Sequence, residues 1–423
     1  MRDVLQLLEA QQDSMIQDLR TLVEIESPSR NADQIRKVGD VVEGWLTPLG
    51  ARSERITSSN GDHRLFRLEG VSQERILILA HADTVWEIGT LNRLPFRIEE
   101  DRAYGPGSYD MKGGVVQAVY ALRALQNRGP LPCHIDFLLT SDEEIGSRTS
   151  YSLIQELAQG VQAVLVIEPS NPGTHTLKTS RKGVGDFYVT VQGRAAHAGG
   201  QPEKGINAIL ELAHQVLDVT ALANPPRGTT INVGVIHGGT ASNVVPAEAW
   251  MHVDLRVTTL PEAERVEEAM RNLQPFDDRA KVTVTGGLNR PPFERTEGTA
   301  HLYELARTVA DTLGFEVGEA ASGGGSDGNF TASIAPTLDG LGACGDGAHA
   351  EHEHVIISEM PRRAALLAGL ILALHPAPEE SQDEVGQEED SQDDASQETG
   401  EQFLDMTLPD AENEEPARIR TDE

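Results

Sequence analysis

Five short segments, far apart in the chain, carry side chains able to hold a metal ion or move a proton. They are His81-Ala82-Asp83, Asp110-Met111-Lys112-Gly113-Gly114, Asp142-Glu143-Glu144, Glu168-Pro169-Ser170 and the run from His349 to His354. Imidazole nitrogens mixed with carboxylate oxygens suit zinc, cobalt or manganese. The carboxylates outnumber what a single tetrahedral zinc uses, so two ions sharing a bridging carboxylate fit better. One acidic side chain is then left over as a general base on water. These residue types support two-metal hydrolysis.

Each segment also has a plainer use. His81 and Asp83, two apart in an extended stretch, lie on one side of the backbone. His81 then serves as a ligand and Asp83 as the acceptor that fixes its tautomer, or both make turn hydrogen bonds. Asp110 precedes a helix, where it is either an N-cap or a bridging carboxylate with glycines that admit close backbone approach. Asp142, Glu143 and Glu144 repel one another unless a cation is present. Glu168 is the first polar group after five apolar residues, facing either a metal or solvent. His349, His352 and His354 are ligand candidates or members of a solvated loop. The zincin His-Glu-x-x-His and the Pro-Cys-x-x-Cys of zinc deaminases are missing. Gly323 to Gly328 lacks the Lys-Ser/Thr of a phosphate loop and reads as flexible backbone near a substrate, or as a turn. No Gly-x-Ser-x-Gly elbow supports a serine hydrolase. Taken together, the plain readings would need five unrelated accidents, all at predicted sheet edges.

The positioning elements follow from the apolar pattern. Residues 76–80, 135–140 and 163–167 are continuous apolar runs of strand length, as expected for a sheet covered on both faces. Each releases its polar candidates at its carboxyl end, where open α/β sheets bind ligands. Helical spacing covers 13–26, 32–49, 113–126, 302–313 and 361–374. Between them, 183–191, 229–235 and 249–257 alternate like strands, and 206–222 and 261–273 have helical spacing. This predicts an inserted α+β unit of ferredoxin-like β-α-β-β-α-β order.

At 423 residues with 39% apolar content and 40 glycines, the chain suits a two-domain α/β protein. Its formal charge of −32 excludes backbone-directed nucleic-acid binding and gives no attraction to anionic lipid. Roughly half that charge lies in residues 377–423, a Gln/Glu/Asp/Ser tract too poor in large apolar residues to fold. Cys133 and Cys344 form no CxxC and read as small buried hydrophobes. The first residues show no leader, and no stretch approaches membrane-spanning length, so a cytoplasmic enzyme is expected.

In order and spacing these motifs (His-x-Asp-x-Val, Asp-x-Lys-Gly-Gly, Asp-Glu-Glu and Glu-Pro) resemble the co-catalytic zinc aminoacylase/acetylornithine deacetylase/carboxypeptidase G metallopeptidases over residues 13–376. Thr179 to Gly183, Arg290-Pro291-Pro292-Phe293 and Gly323 to Asp327 look most like the glutamate carboxypeptidase branch. The resemblance implies a mixed-sheet catalytic domain over 1–180 and 288–376, a lid and dimerisation domain over 181–287, and an acidic tail over 377–423 outside the family pattern. It implies two zinc ions, with cobalt or manganese as substitutes. Their ligands would be His81, Asp110, Glu144, Glu168 and His349, with Asp110 bridging, Glu143 as base and Asp83 behind His81. His349 matches the last ligand because Glu353 follows four residues later; His354 stands where the family usually has Tyr, and His352 is a nearby rival. His197 would steady the tetrahedral intermediate, often across a dimer interface. Lys182, Asn243, Arg256 and Arg290 would hold the amide and carboxylates of a small peptide or N-acyl amino acid. The activity implied is release of a C-terminal amino acid, glutamate-type. Deacylase or aminotripeptidase action, or a catalytically silent scaffold, are the alternatives.

Overall fold

Strands that are apolar at every position must bury both faces, and the three core strands do so against two different sets of side chains. Ile76, Ile78 and Ala80 pack into one core with the helices Gln12–Val23, Ala32–Leu46, Gly113–Arg128, Glu297–Leu313 and Glu359–Ala373. Leu77 and Leu79, one residue out of phase, pack into another with Ile154, Ala158 and Phe330. The period-two alternation of a strand produces this division. The computed structural model describes residues 1–375. The expected acidic tail therefore lies outside the described residues.

The main sheet has six strands in the order Arg52–Ile56, His63–Leu68, His134–Thr140, Arg75–His81, Ala163–Val166 and Thr337–Leu338. The first two pairings are antiparallel and the remaining three parallel, so the sheet is mixed. Four parallel strands thus end side by side, and their carboxyl ends deliver His81, Asp142 to Glu144, Glu168 and Asp339 to one edge. A small sheet of Gly345–Asp346, His354–Ile356, Arg102–Tyr104 and Arg97–Glu99 ties the segment around His349 to the segment before Asp110.

Residues 183–290 build a separate four-stranded antiparallel sheet, ordered Thr230–Gly238, Glu248–Val257, Gly183–Gln192 and Lys281–Arg290. The helices Ala208–Ala221 and Leu260–Arg271 cover one face, and Phe187, Val189, Met251, Val253 and Leu255 form its own core. The strand order is that of a β-α-β-β-α-β unit. The opposite face presents Tyr188 and Trp250 to solvent, and Thr230–Gly238 is an exposed edge.

Candidate metal centre

His81 is the last residue of a buried strand and is 2% exposed, so its ring has no route to bulk water. Its Nδ1 lies 2.9 Å from the backbone carbonyl of Asp83, to which it donates. That bond leaves the Nε2 lone pair facing the cluster. The tautomer is thus set by the Asp83 main chain, while its carboxylate oxygen lies 3.6 Å from the ring. The carboxylate instead accepts from the backbone N–H groups of Glu143 (3.2 Å) and Glu144 (3.3 Å) and from the Ser29 hydroxyl (2.6 Å). Asp83 therefore orients the acidic turn as well as the histidine.

Asp110 occupies the centre. Its Oδ1 is 3.3 Å from His81 Nε2, and its Oδ2 is 3.4 Å from His349 Nε2. Glu168 Oε1 adds a second oxygen at 3.4 Å from His81, and Glu144 Oε2 one at 3.2 Å from His349. Asp110 makes no cap bond to the helix that begins at Gly113, so the N-cap alternative drops out. His352 is exposed and is not gathered into the cluster; its carbonyl accepts from His354 Nδ1. Of the two rival histidines, His349 is the one brought to Asp110 and Glu144.

Two observations test whether these donors suit metal ions. Four bonds of zinc–nitrogen or zinc–oxygen length, tetrahedrally disposed, put neighbouring donors about 3.3 Å apart. The four separations above match that edge. Second, His81 Nε2 and Glu144 Oε1 are buried without a hydrogen-bond partner. Orphaned polar atoms at this depth are costly unless a ligand satisfies them. The donor set fits two cations sharing Asp110.

The electrostatics agree. Burial alone would lower His81, but the adjoining Asp110 and Glu168 carboxylates raise it well above its usual value. His349 is raised to about 11 by Asp110 and Glu144. Burial lifts Glu144 to about 7, against the pull of His349. Asp110 is held low by both histidines in spite of its burial. A metal bound here would displace protons from the imidazoles.

Glu143 is within 4.8 Å of donor atoms on His81 and Glu168, so it faces the cluster without joining the four close contacts. Burial raises its carboxyl well above the ordinary range, opposed by Arg290. Arg290 is itself 5% exposed and donates to Glu143 Oε1 (2.9 Å), the Glu143 carbonyl (2.9 Å), Ser147 Oγ (2.9 Å) and Asp327 Oδ1 (3.0 Å). Expected to hold substrate, it bonds here to the turn that carries Glu143.

The remaining expected residues stay apart from the cluster. Arg256 is committed to Asp254 two residues away, at 2.9–3.1 Å. Asn243 is exposed, and its carbonyl accepts from the Ala198 N–H. His197, exposed beside it, accepts at Nδ1 from the N–H groups of Gly199 and Gly200, which places its proton on Nε2. Lys182 is partly exposed, with no side-chain bond.

Several supporting residues had been given no role of their own. Glu353 is buried and accepts from the backbone N–H groups of Gly107 (2.8 Å), Tyr109 (2.9 Å) and Asp110 (3.0 Å) and from the Trp86 indole (2.7 Å). It clasps the Asp110 turn. Arg181 is bidentate to Asp339 (2.7 and 2.9 Å), lies 3.5 Å from Glu168 Oε2, and donates to the carbonyls of Gly324 and Gly325. Asp327 accepts from Arg290, Ser147 and Thr140. The signal was the glycine-rich run, which supplies both carbonyls and Asp327.

Known proteins resemble this chain in sequence and in fold. The model of Peptidase family M20/M25/M40 matches residues 77–373. Carboxypeptidase G2 of Pseudomonas sp. (strain RS-16) is 34% identical over 376 residues, 86% of this chain and 90% of that protein. Succinyl-diaminopimelate desuccinylase of Dechloromonas aromatica (strain RCB) is 28% identical over 360 residues, 80% of this chain and 93% of that protein. Among solved structures, aminopeptidase PepT of Bacillus cereus ATCC 10987 superposes with a TM-score of 0.69 at 22% identity, covering 86% of this chain and 98% of that one. That last likeness concerns the fold.

Proposed function

Because this chain belongs to Peptidase family M20/M25/M40, we propose that its cluster hydrolyses the amide bond attaching an acyl or aminoacyl group to a C-terminal amino acid of glutamate type. The observation that carries this reading is Asp110, whose two oxygens face two different histidines at 3.3 and 3.4 Å. His81, Asp110 and Glu168 would hold one zinc, and His349, Asp110 and Glu144 the other; cobalt or manganese would serve in their place. Such ions supply Lewis acidity and a water acidified towards neutral pH.

The chain's own groups do the rest. Glu143 takes the proton of the attacking water and returns it to the leaving amine. Arg290 and the Asp83 carboxylate keep Glu143 aimed, through the bonds already described. His197, with its proton on Nε2, is a donor suited to the oxyanion of the tetrahedral intermediate. It stands on the four-stranded unit, read here as a lid and dimerisation domain spanning 181–287, apart from the two parts 1–180 and 288–376 that carry the ligands. Support for a homodimer comes from the unpaired edge of Thr230–Gly238 and the exposed Ile209, Leu210, Leu217, Val235 and Ile236 around it. Among the described residues no helix is long and apolar enough to cross a membrane. The two buried, unpaired cysteines support a cytoplasmic location. N-acyl amino acid deacylation is the second reading, favoured by the desuccinylase relatives.

The test is a product-release screen of zinc-loaded protein on N-acyl glutamates, N-succinyl amino acids and dipeptides, with metal content measured alongside. Glu143→Ala is expected to abolish release while two ions per chain are retained. Full activity in that variant would remove the mechanism.

A further inference from the structure

Among the described residues six lysine and arginine side chains are buried: Arg64, Lys112, Lys178, Arg181, Arg290 and Arg363. Five are satisfied. Arg64 pairs with Asp40 and Glu43, and Arg363 donates to the carbonyls of Gly340 and Gly342. Lys112 donates to the Ile25 carbonyl at 2.9 Å, Arg181 is held by Asp339, and Arg290 by Glu143 and Asp327. Lys178 is the sixth, 7% exposed, and among the described residues its ammonium makes neither a hydrogen bond nor an ion pair. A buried charge without a partner costs more than any other common arrangement, so a fold that keeps one calls for a ligand.

Its position says which ligand. The strand Leu177–Arg181 pairs in parallel with Glu319–Ser322, and the register jumps so that Ala320 faces Lys178 while Ala321 faces Ser180. One extra residue in the strand reverses the alternation and turns Lys178 to the side that Arg181 occupies. The charges acting on Lys178 are those of Arg181, Asp339, Glu168 and Asp110, the last two being metal-ligand candidates. Arg181 is already neutralised by Asp339. The lysine stem lies against Gly340, where any Cβ would come within 3.2 Å of it. Burial, with the like charge of Arg181, pushes the ammonium down to about 8 against the pull of Asp339, Glu168 and Asp110. Its nitrogen is not among the unpartnered atoms sealed from solvent. Arg290, the other cation at the acidic turn, is engaged by Glu143 and Asp327.

We propose that Lys178 is the substrate's carboxylate anchor: its unpaired ammonium, beside Glu168, receives a carboxylate of the amino acid that is released. This rests on the hydrolytic reading above and adds a specificity residue to it. Two carboxylates of a glutamate-type product share that chemistry, the α-carboxylate and the side-chain carboxylate, and the substrates below separate them.

The experiment compares zinc-loaded wild type with Lys178→Met and Lys178→Arg on N-acetylglutamate and N-acetylalanine, and measures binding of free glutamate by calorimetry. Losing a charge-assisted bond is expected to raise KM by about ten- to a hundredfold in Lys178→Met, with the arginine variant recovering part of the loss. An equal loss on both substrates assigns the α-carboxylate; a loss confined to N-acetylglutamate assigns the side chain. KM values within twofold of wild type on both substrates, with zinc retained, overturn the proposal. So does glutamate binding of equal strength in wild type and Lys178→Met. Should wild type release nothing from either substrate, the hydrolytic reading fails, while the glutamate-binding comparison still decides the role of Lys178. If Lys178→Met loses zinc or fails to fold, the lysine is structural and the proposal falls.

Discussion

The two larger sheets treat their polar residues in opposite ways. On the six-stranded sheet, groups from five distant segments arrive at one edge, with donor atoms 3.2–3.4 Å apart. On the four-stranded sheet, His197, Asn243 and Arg256 scatter to exposed loops or pair locally. Topology explains the difference. Strands spaced about 4.8 Å apart put the ends of three neighbours within roughly 10 Å, the dimension of a two-ion site with its ligands. His134–Thr140, Arg75–His81 and Ala163–Val166 are such neighbours. The antiparallel unit has no shared carboxyl edge, so its residues can meet the cluster only through domain placement or a second copy.

Four outcomes would break or sharpen that contrast. Asp110→Asn removes the group common to both histidine positions; we expect kcat to fall by at least about a thousandfold and zinc content to drop below two per chain, as read by elemental analysis. Retention of two ions would show that the edge assembles without its shared carboxylate. Next in size is a mixing test. If His197 acts across copies, combining the weakly active His197→Ala and Glu143→Gln proteins should restore activity to about a quarter of wild type, through sites built from one intact half of each. No recovery after subunit exchange would confine His197 to its own chain.

A smaller effect concerns pH. Burial holds Lys178 at about 8 against 10.5 for an ordinary lysine. Below pH 8 the folded protein bears the whole cost of that charge. As pH climbs from 8 to 10.5 the folded state sheds the proton before the unfolded state does, and the cost disappears. Lys178→Met should therefore melt about a few degrees above wild type at pH 7, and the gap should narrow across that window. A constant gap would mean the lysine is already paired. Smallest of all, Arg256→Ala should leave kcat/KM within about twofold, since its guanidinium serves Asp254. A tenfold loss would bring the four-stranded sheet into the site.

The legible part of the site was the part carried by continuous apolar strands. His81, Glu143, Glu144 and Glu168 follow such runs directly, and strand-end placement needs no knowledge of loops. The fold itself was readable for the same reason: apolar periodicity located the longer helices and the three core strands to within about five residues, while the short helices Arg2–Glu9 and Tyr151–Leu157 went unread. What stayed hidden was reach. Nothing local to Arg290 says that its guanidinium folds back onto Glu143, 147 positions earlier. Nor could the two residues Thr337 and Leu338 be recognised as the fourth parallel strand, because so short a run has no detectable period. Lys178 was invisible for a related reason. Its significance lies in a partner that is missing, and sequence does not record vacancies in a hydrogen-bond network.

The clasp formed by Glu353 has a consequence for how the protein matures. Its carboxylate fastens backbone groups 243 to 246 positions earlier in the chain. Synthesis delivers the amino-terminal strands first. The turn that carries Asp110 must therefore wait, unfastened, until nearly the whole folded chain has left the ribosome. Capture of the proposed zinc would then belong to the finished molecule, and nascent chains arrested short of Glu353 should retain little of it.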